Sequence, residues 1–242
     1  MFDFLKKKKP DKKSRVAAII TAAGSSTRMN GVNKQFSDIL GAPVLAYTLR
    51  AFEATPCIDE IIVTAREEDI LLVYDIIREY DISKASSVVT GGDTRQKSVK
   101  IGIDAAGECH IIAIHDGARP CILPEHIELA VSAAERYGAA AVGCPVADTL
   151  KLVGENSFIA TTLDRKGIWH IQTPQVFKSG IIKAAHDNAQ SEGIEATDDC
   201  ALVERAGYQV YVVLGDSGNI KITTPQDLFI ARGIIESRGD FK

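Results

Sequence analysis

The chain of 242 residues, 45% hydrophobic and 25% charged, can bury a full core, which excludes a disulfide mini-scaffold, a collagen-like chain and a disordered one. Its net charge is −4, but the first fifteen residues hold seven Lys/Arg against Asp3 and Asp11, a surplus of five, so the remainder carries −9. A body of that sign repels a polynucleotide, and the longest uncharged apolar stretch, from Val16 to Thr27, is too short and mixed to span a bilayer; neither nucleic acid nor membrane is expected as a partner.

Residues 1–15, MFDFLKKKKPDKKSR, lack the apolar run and small-residue cleavage site of a signal peptide and read as a basic, flexible leader. Residues 16–242 then read as one domain. From Val16 onward short β-branched runs alternate with segments of helical period, the pattern of an α/β fold with a mostly parallel sheet covered by helices on both faces. Strands are expected at 16–21, 60–64, 87–90, 111–114, 140–143 and 209–213, and helices at 43–54, 69–80, 95–105, 124–137, 180–190 and 225–237. In the second helix Ile70, Val73, Ile76 and Ile77 share one face, and Pro124 and Pro225 suit a first helical turn.

One region departs from the alternation. Within residues 148–172, DTLKLV and NSFIATTLD alternate polar with apolar around Gly154, Glu155 and Asn156, which predicts a projecting β-hairpin. A lone hairpin is marginal in water, so this arm is expected to pack against a second subunit. Five cysteines form no CxxC pair, and their odd number argues against a disulfide framework; reduced thiols in a cytoplasmic protein are expected.

The first strand runs into Ala22-Ala23-Gly24-Ser25-Ser26-Thr27-Arg28-Met29, followed by Asn33-Lys34-Gln35. Gly24 lets the backbone approach a phosphate, while Arg28 and Lys34 add positive charge: either an anion cradle or an ordinary βα loop with incidental cations. Neither GxxxxGK[ST] nor GxGxxG is present there. The fourth strand ends at His115-Asp116-Gly117-Ala118-Arg119-Pro120, where Asp116 could hold magnesium through oxygen or simply sit in a turn. Gly91-Gly92-Asp93-Thr94-Arg95 follows the third strand in the same position, and these loops lie at the sheet edge where open α/β folds bind ligands. Gly215-Asp216-Ser217-Gly218 imitates a serine-protease segment by chance, because the chain alternates strand and helix. Asp198 and Asp199 are read as a helix N-terminus capped by Thr197, and no histidine has HExxH spacing.

AAGSSTRM with NKQF, GGDTRQKSV, HDGARP, DTLK, TLDRKGIWHIQTPQVF, the ATDD segment and NIKITTPQDL, in this order, closely resemble the 2-C-methyl-D-erythritol 4-phosphate cytidylyltransferases of the non-mevalonate isoprenoid pathway. The resemblance spans residues 16 to about 237. It implies a Rossmann-like nucleotidyltransferase fold, a homodimer built through the β-arm, and magnesium-dependent transfer of CMP from CTP to a sugar-alcohol phosphate, releasing pyrophosphate. Carried over by motif, Ala22, Ala23, Gly24, Gly92, Asp93, Ser98 and Gly117 belong to the CTP site. The resemblance likewise implies that Arg28, Lys34 and Lys221 are the catalytic cations and that Asp116 is the magnesium ligand. Arg119, Thr149, Arg165, Thr173 and Thr197 shape the acceptor pocket, with Arg165 supplied by the partner's arm. Ser26 stands where many members carry glycine, and Gly218 where some carry an acid, for which Asp216 is a candidate replacement near the metal.

The attacking group so implied is a phosphate monoester, largely dianionic at neutral pH with a second pKa near ~6, so no general base is needed. A ribitol-5-phosphate cytidylyltransferase and a non-catalytic nucleotide-binding module are the rival readings; the GARP and DRKGIW segments favour methylerythritol phosphate over ribitol phosphate. Retention of Arg28, Lys34, Asp116 and Lys221 favours catalysis over a silent module.

Overall fold

The computed structural model describes residues 15–24 and 34–239. In chain order the elements are β1 (Val16–Thr21), β2 (Asp38–Ile39), β3 (Ala42–Pro43), α1 (Val44–Glu53), β4 (Glu60–Ala65), α2 (Ile70–Glu79), β5 (Ala85–Thr90), α3 (Arg95–Ala105) and β6 (Ile111–Asp116). The second half continues with α4 (Pro124–Tyr137), β7 (Ala139–Pro145), β8 (Lys151–Val153), β9 (Ile159–Thr162), β10 (Trp169–Lys178), α5 (Ser179–Glu192), α6 (Asp199–Arg205), β11 (Tyr211–Leu214) and α7 (Pro225–Arg238).

Seven strands form one sheet in the order β11-β7-β10-β6-β1-β4-β5. All neighbours are parallel except β10, which is antiparallel to both β6 and β7. Side chains alternate along a strand, so β1 feeds two cores. Ala18 and Ile20 pack with Leu45, Leu49 and Phe52 of α1, Val73 of α2 and Ile127 of α4; Ile19 packs with Val99 and Ile103 of α3, Ile182 of α5 and Val203 of α6. Helices therefore cover both faces, as expected, and α3 lies so close to β1 that a Cβ on Gly102 would come within 2.5 Å of Ile19. A third cluster joins Ala231 and Ile235 of α7 to Cys121 and Ile222, beside the loops that carry the site. No described helix is long and apolar enough to cross a membrane.

The hairpin expected within residues 148–172 is present: β8 and β9 pair antiparallel as a separate, exposed two-stranded sheet, which ends before Trp169, where the chain enters the main sheet as β10. Pro174 cannot donate to a ladder and speaks against a central strand. Here the register with β7 shifts between Ile171 and Gln175, which accommodates it. One local expectation needs correction: α6 is capped by Asp198 rather than Thr197, since the Asp198 carboxylate accepts from Ala201 N–H and Thr197 is exposed. A short hairpin, β2–β3, not anticipated from the sequence, precedes α1; Leu40 and Gly41 make its turn with φ of 53° and 86°.

Candidate active site

The parallel strands β1, β4, β5 and β6 end at one edge of the sheet, and the loops beyond them enclose a cleft of 450 Å³. Ala23 and Gly24 line it from the β1 loop, Gly92 and Asp93 from the β5 loop, Ser98 from α3, Asp116 from β6 and Lys221 from the loop after β11. A Cβ on Gly24 would meet no described residue within 4 Å, whereas one on Gly91 would stand 2.5 Å from Ala23 Cβ. Glycine at 91 is thus what lets the β5 loop close against the β1 loop. Ser98 fastens the same loop: its hydroxyl accepts from Gly92 N–H at 3.1 Å and donates to Thr94 O at 2.9 Å.

Asp116 is the electrostatic centre. Its Oδ1 accepts from Arg95 Nε at 3.1 Å, and its Oδ2 lies 2.9 Å from Lys221 Nζ and 3.5 Å from Arg119 Nε. Burial pushes the carboxyl up, but Arg95, then Lys221 and Arg119, hold it well below the usual carboxylate range, so it is ionised throughout the physiological range. Arg95 is fixed from behind, where its other branch donates to Asp199 at 2.8 Å; Asp199 in turn receives His186 Nε2 at 3.0 Å. Burial also opposes ionisation of Asp199, and Arg95 and His186 overcome it.

His115, wholly buried, is pushed down to about 3 by desolvation and is therefore neutral. His115 Nε2 faces Arg119 O at 3.4 Å, a carbonyl that can only accept, which assigns the ring proton to Nε2; Nδ1, 3.0 Å from Thr173 Oγ1, then accepts the Thr173 hydroxyl proton, while that oxygen accepts Asp116 N–H at 3.1 Å. This histidine orders the pocket floor and is not a base.

The remaining candidates fall into distinct places. Ala22 lies fully buried behind the cleft, where its N–H donates to Thr64 O at 2.7 Å. Gly117 is structural here: its N–H donates to Thr21 O at 2.9 Å, and a Cβ would meet that oxygen at 3.0 Å. Lys34 is half-buried ahead of Gln35, whose carbonyl accepts Leu45 N–H, and it is not among the described residues lining the cleft. Arg119 donates to Asn219 O at 2.7 Å and Thr173 is buried beside it. Thr149, Arg165 and Thr197 are exposed and away from the cleft lining of this chain; Arg165 donates to Ala147 O at the base of the arm. Arg28 and Ser26 lie outside the described residues. Asp216 has partners of its own: its carboxylate accepts Gly218 N–H at 2.8 Å and pairs with Arg238 at 2.7 Å. Arg95 and Arg66, which also line the cleft, were missed; Arg95 stood in the GGDTR segment, but its partners are 21 and 104 residues away.

Among the described residues no three His, Cys, Asp or Glu side chains converge as a metal cage. Magnesium needs less than that, because one or two carboxylates suffice when phosphates and waters supply the rest. The ionised oxygens of Asp116, with the Thr21 hydroxyl 3.5 Å from Oδ1, fit such a lightly held ion.

A glycine-lined opening over an ionised aspartate ringed by Arg95, Arg119 and Lys221, at the end of a parallel sheet, suits the binding of phosphates and is the arrangement of a nucleotidyltransferase. The family model for 2-C-methyl-D-erythritol 4-phosphate cytidylyltransferase matches residues 16–237, and the chain belongs to that family. Its relatives include the enzyme of that name from Caldanaerobacter subterraneus, 49% identical over 89% of this chain and 96% of the relative. Another, from Clostridium novyi, is 42% identical over 93% of this chain and 98% of its own length. The crystal structure of 4-diphosphocytidyl-2C-methyl-D-erythritol synthase from Anaerococcus prevotii superposes with a TM-score of 0.82 at 31% identity, covering 93% of this chain and 97% of that one. The Thermus thermophilus cytidylyltransferase gives 0.74 at 30% identity, covering 90% and 98%.

Proposed function

We propose that the cleft at the C-terminal end of β1, β5 and β6 transfers CMP from CTP to 2-C-methyl-D-erythritol 4-phosphate, in the non-mevalonate pathway. An acceptor phosphate oxygen attacks the α-phosphorus of CTP, the bond from that phosphorus to the bridging oxygen of the β-phosphate breaks, and pyrophosphate leaves. The obstacle is electrostatic, since both reactants are anions, and cations that gain contacts as charge moves to the leaving oxygen lower the barrier. Lys221, 37% exposed on a flexible stem, can turn from Asp116 to the α-phosphate. Arg28 and Lys34 neutralise the triphosphate from the β1 loop, and the backbone at Gly24 and Gly92 admits nucleotide. Arg119 and Thr173 form the acceptor wall of this chain. Magnesium, held by Asp116, would supply charge neutralisation on the phosphates.

The acceptor pocket, to which Thr149 and Thr197 also belong, is completed in a homodimer, where the arm of one protomer brings Arg165 to its partner's cleft. Support comes from the arm itself: Leu152, Val153, Phe158 and Ile159 are all more than half exposed. Five free thiols fit the reducing cytoplasm. The observation that carries the reading is the three-cation setting of Asp116. It is tested by magnesium titration of CTP binding in Asp116→Asn: loss of the magnesium dependence is expected, and an unchanged dependence would move the metal elsewhere.

A further inference from the structure

Behind the cleft, the last turn of α7 is tied to the two loops that carry Arg119 and Lys221, two of the three cations around Asp116. One nitrogen of the Arg238 guanidinium donates to Cys121 O at 2.8 Å and the other to Asp216 Oδ2 at 2.7 Å. Cys121 follows Arg119 in the loop after β6; Asp216 opens the loop that leads to Lys221. The contacts continue inward. The Asp216 carbonyl accepts Asn219 N–H at 3.0 Å, the Asn219 carbonyl accepts from Arg119 at 2.7 Å, and Ile222 N–H donates to Ala118 O at 2.8 Å, joining the two loops beside Lys221. Asn219, fully buried, also donates its side-chain amide to Thr173 O at 2.9 Å. Glycine at 218 leaves room for the ion pair, since a Cβ there would meet Arg238 and both Asp216 carboxylate oxygens at 3.3 Å. Arg238 stands one residue beyond the stretch that the family model matches.

We propose that Arg238 is a positioning residue for cytidylyl transfer, its fork holding the two loops in the register at which Arg119 and Lys221 both face Asp116. This rests on the reaction assigned above. A bidentate guanidinium suits the task because it binds a carbonyl and a carboxylate in one plane, which an ammonium cannot do. Its side chain is 18% exposed, and α7 is also anchored independently of it by the buried Ala231 and Ile235.

The test compares wild type, Arg238→Ala, Arg238→Lys, Asp216→Asn and the Asp216→Asn/Arg238→Ala pair, reading steady-state kinetics, CTP affinity by calorimetry, and amide hydrogen exchange of the full chain. For Arg238→Ala, kcat/KM is expected to fall roughly 10-fold, with Arg238→Lys closer to Ala than to wild type, since a small misplacement of charged groups is costly. Exchange should quicken at Asn219 and Ile222, and the double variant should be no worse than the worse single one. Unchanged exchange in Arg238→Ala overturns the proposal, as does faster exchange with unaltered kcat/KM and CTP affinity, which would leave a purely structural tie. Should Arg238→Ala not fold, Asp216→Asn releases the same contact from its other end and is judged by the same two outcomes. Absence of transfer by the wild type would count against the assigned reaction alone, because exchange and CTP affinity still read the positioning.

Discussion

Lys221 Nζ stands 2.9 Å from Asp116 Oδ2, while the other oxygen of that carboxylate is held by Arg95. The two cations differ in what anchors them. Arg95 is bound on its far side to Asp199 and stays put; Lys221 is partly exposed and can exchange the carboxylate for a phosphate. The site thus keeps Asp116 in place even when Lys221 leaves it.

From this follows a kinetic expectation for Lys221→Ala. Turnover should fall on the order of 10²-fold, the usual effect of losing one preorganised donor to developing charge. Pre-steady-state quench experiments check it; near wild-type turnover would remove Lys221 from the reaction.

Asp199→Asn should lower stability by roughly 3 kcal/mol, because it leaves one branch of Arg95 without its buried partner. Asp199 is held below its unfolded pKa, so its contribution is present above about pH 4 and is lost as the pH falls through the folded value. Urea titrations from pH 7 to pH 3 should therefore show a smaller acid loss in the variant than in wild type. Equal acid loss would contradict the assignment.

His115 supplies a second, separable window. Its folded pKa of about 3 lies below the unfolded 6.5, so between these values the unfolded chain binds more protons and stability drops as the pH falls. A slope on the order of 1.4 kcal/mol per pH unit is expected from this one group. In His115→Asn the fall between pH 6 and 4.5 should flatten, as measured by the same titrations; an unaltered slope would mean that the histidine is not buried neutral.

Phe158, 78% exposed on the arm, should matter only through a second protomer. Sedimentation of the 26.1 kDa chain is expected to give a dimer, and Phe158→Glu a monomer with weakened acceptor use. Arg165→Ala should raise KM for methylerythritol phosphate more than KM for CTP. An equal rise in both would place Arg165 outside the acceptor pocket.

Much of the fold was legible because its signals are local. The buried strand β1 and the helices α3 and α4 have the bounds that periodicity and first-turn chemistry indicate. β10 was not legible: WHIQTPQVFK carries a proline and four polar residues ahead of its apolar end, and its strand character comes from pairing on both sides. The β2–β3 hairpin was missed because its turn places Leu40 at positive φ, which no propensity favours. In the site, the motifs located Gly24, Gly92, Asp116 and Lys221. The sequence carried no sign that Arg95 bridges two carboxylates or that Arg238 reaches Asp216, since those contacts exist only once distant loops meet.

The most direct measurement offers the purified chain CTP and magnesium with either methylerythritol phosphate or ribitol 5-phosphate, and follows pyrophosphate release. Release with methylerythritol phosphate, accompanied by the cytidine diphosphate ester of that acceptor, is the result expected. Release only with ribitol 5-phosphate, or with neither, would contradict it.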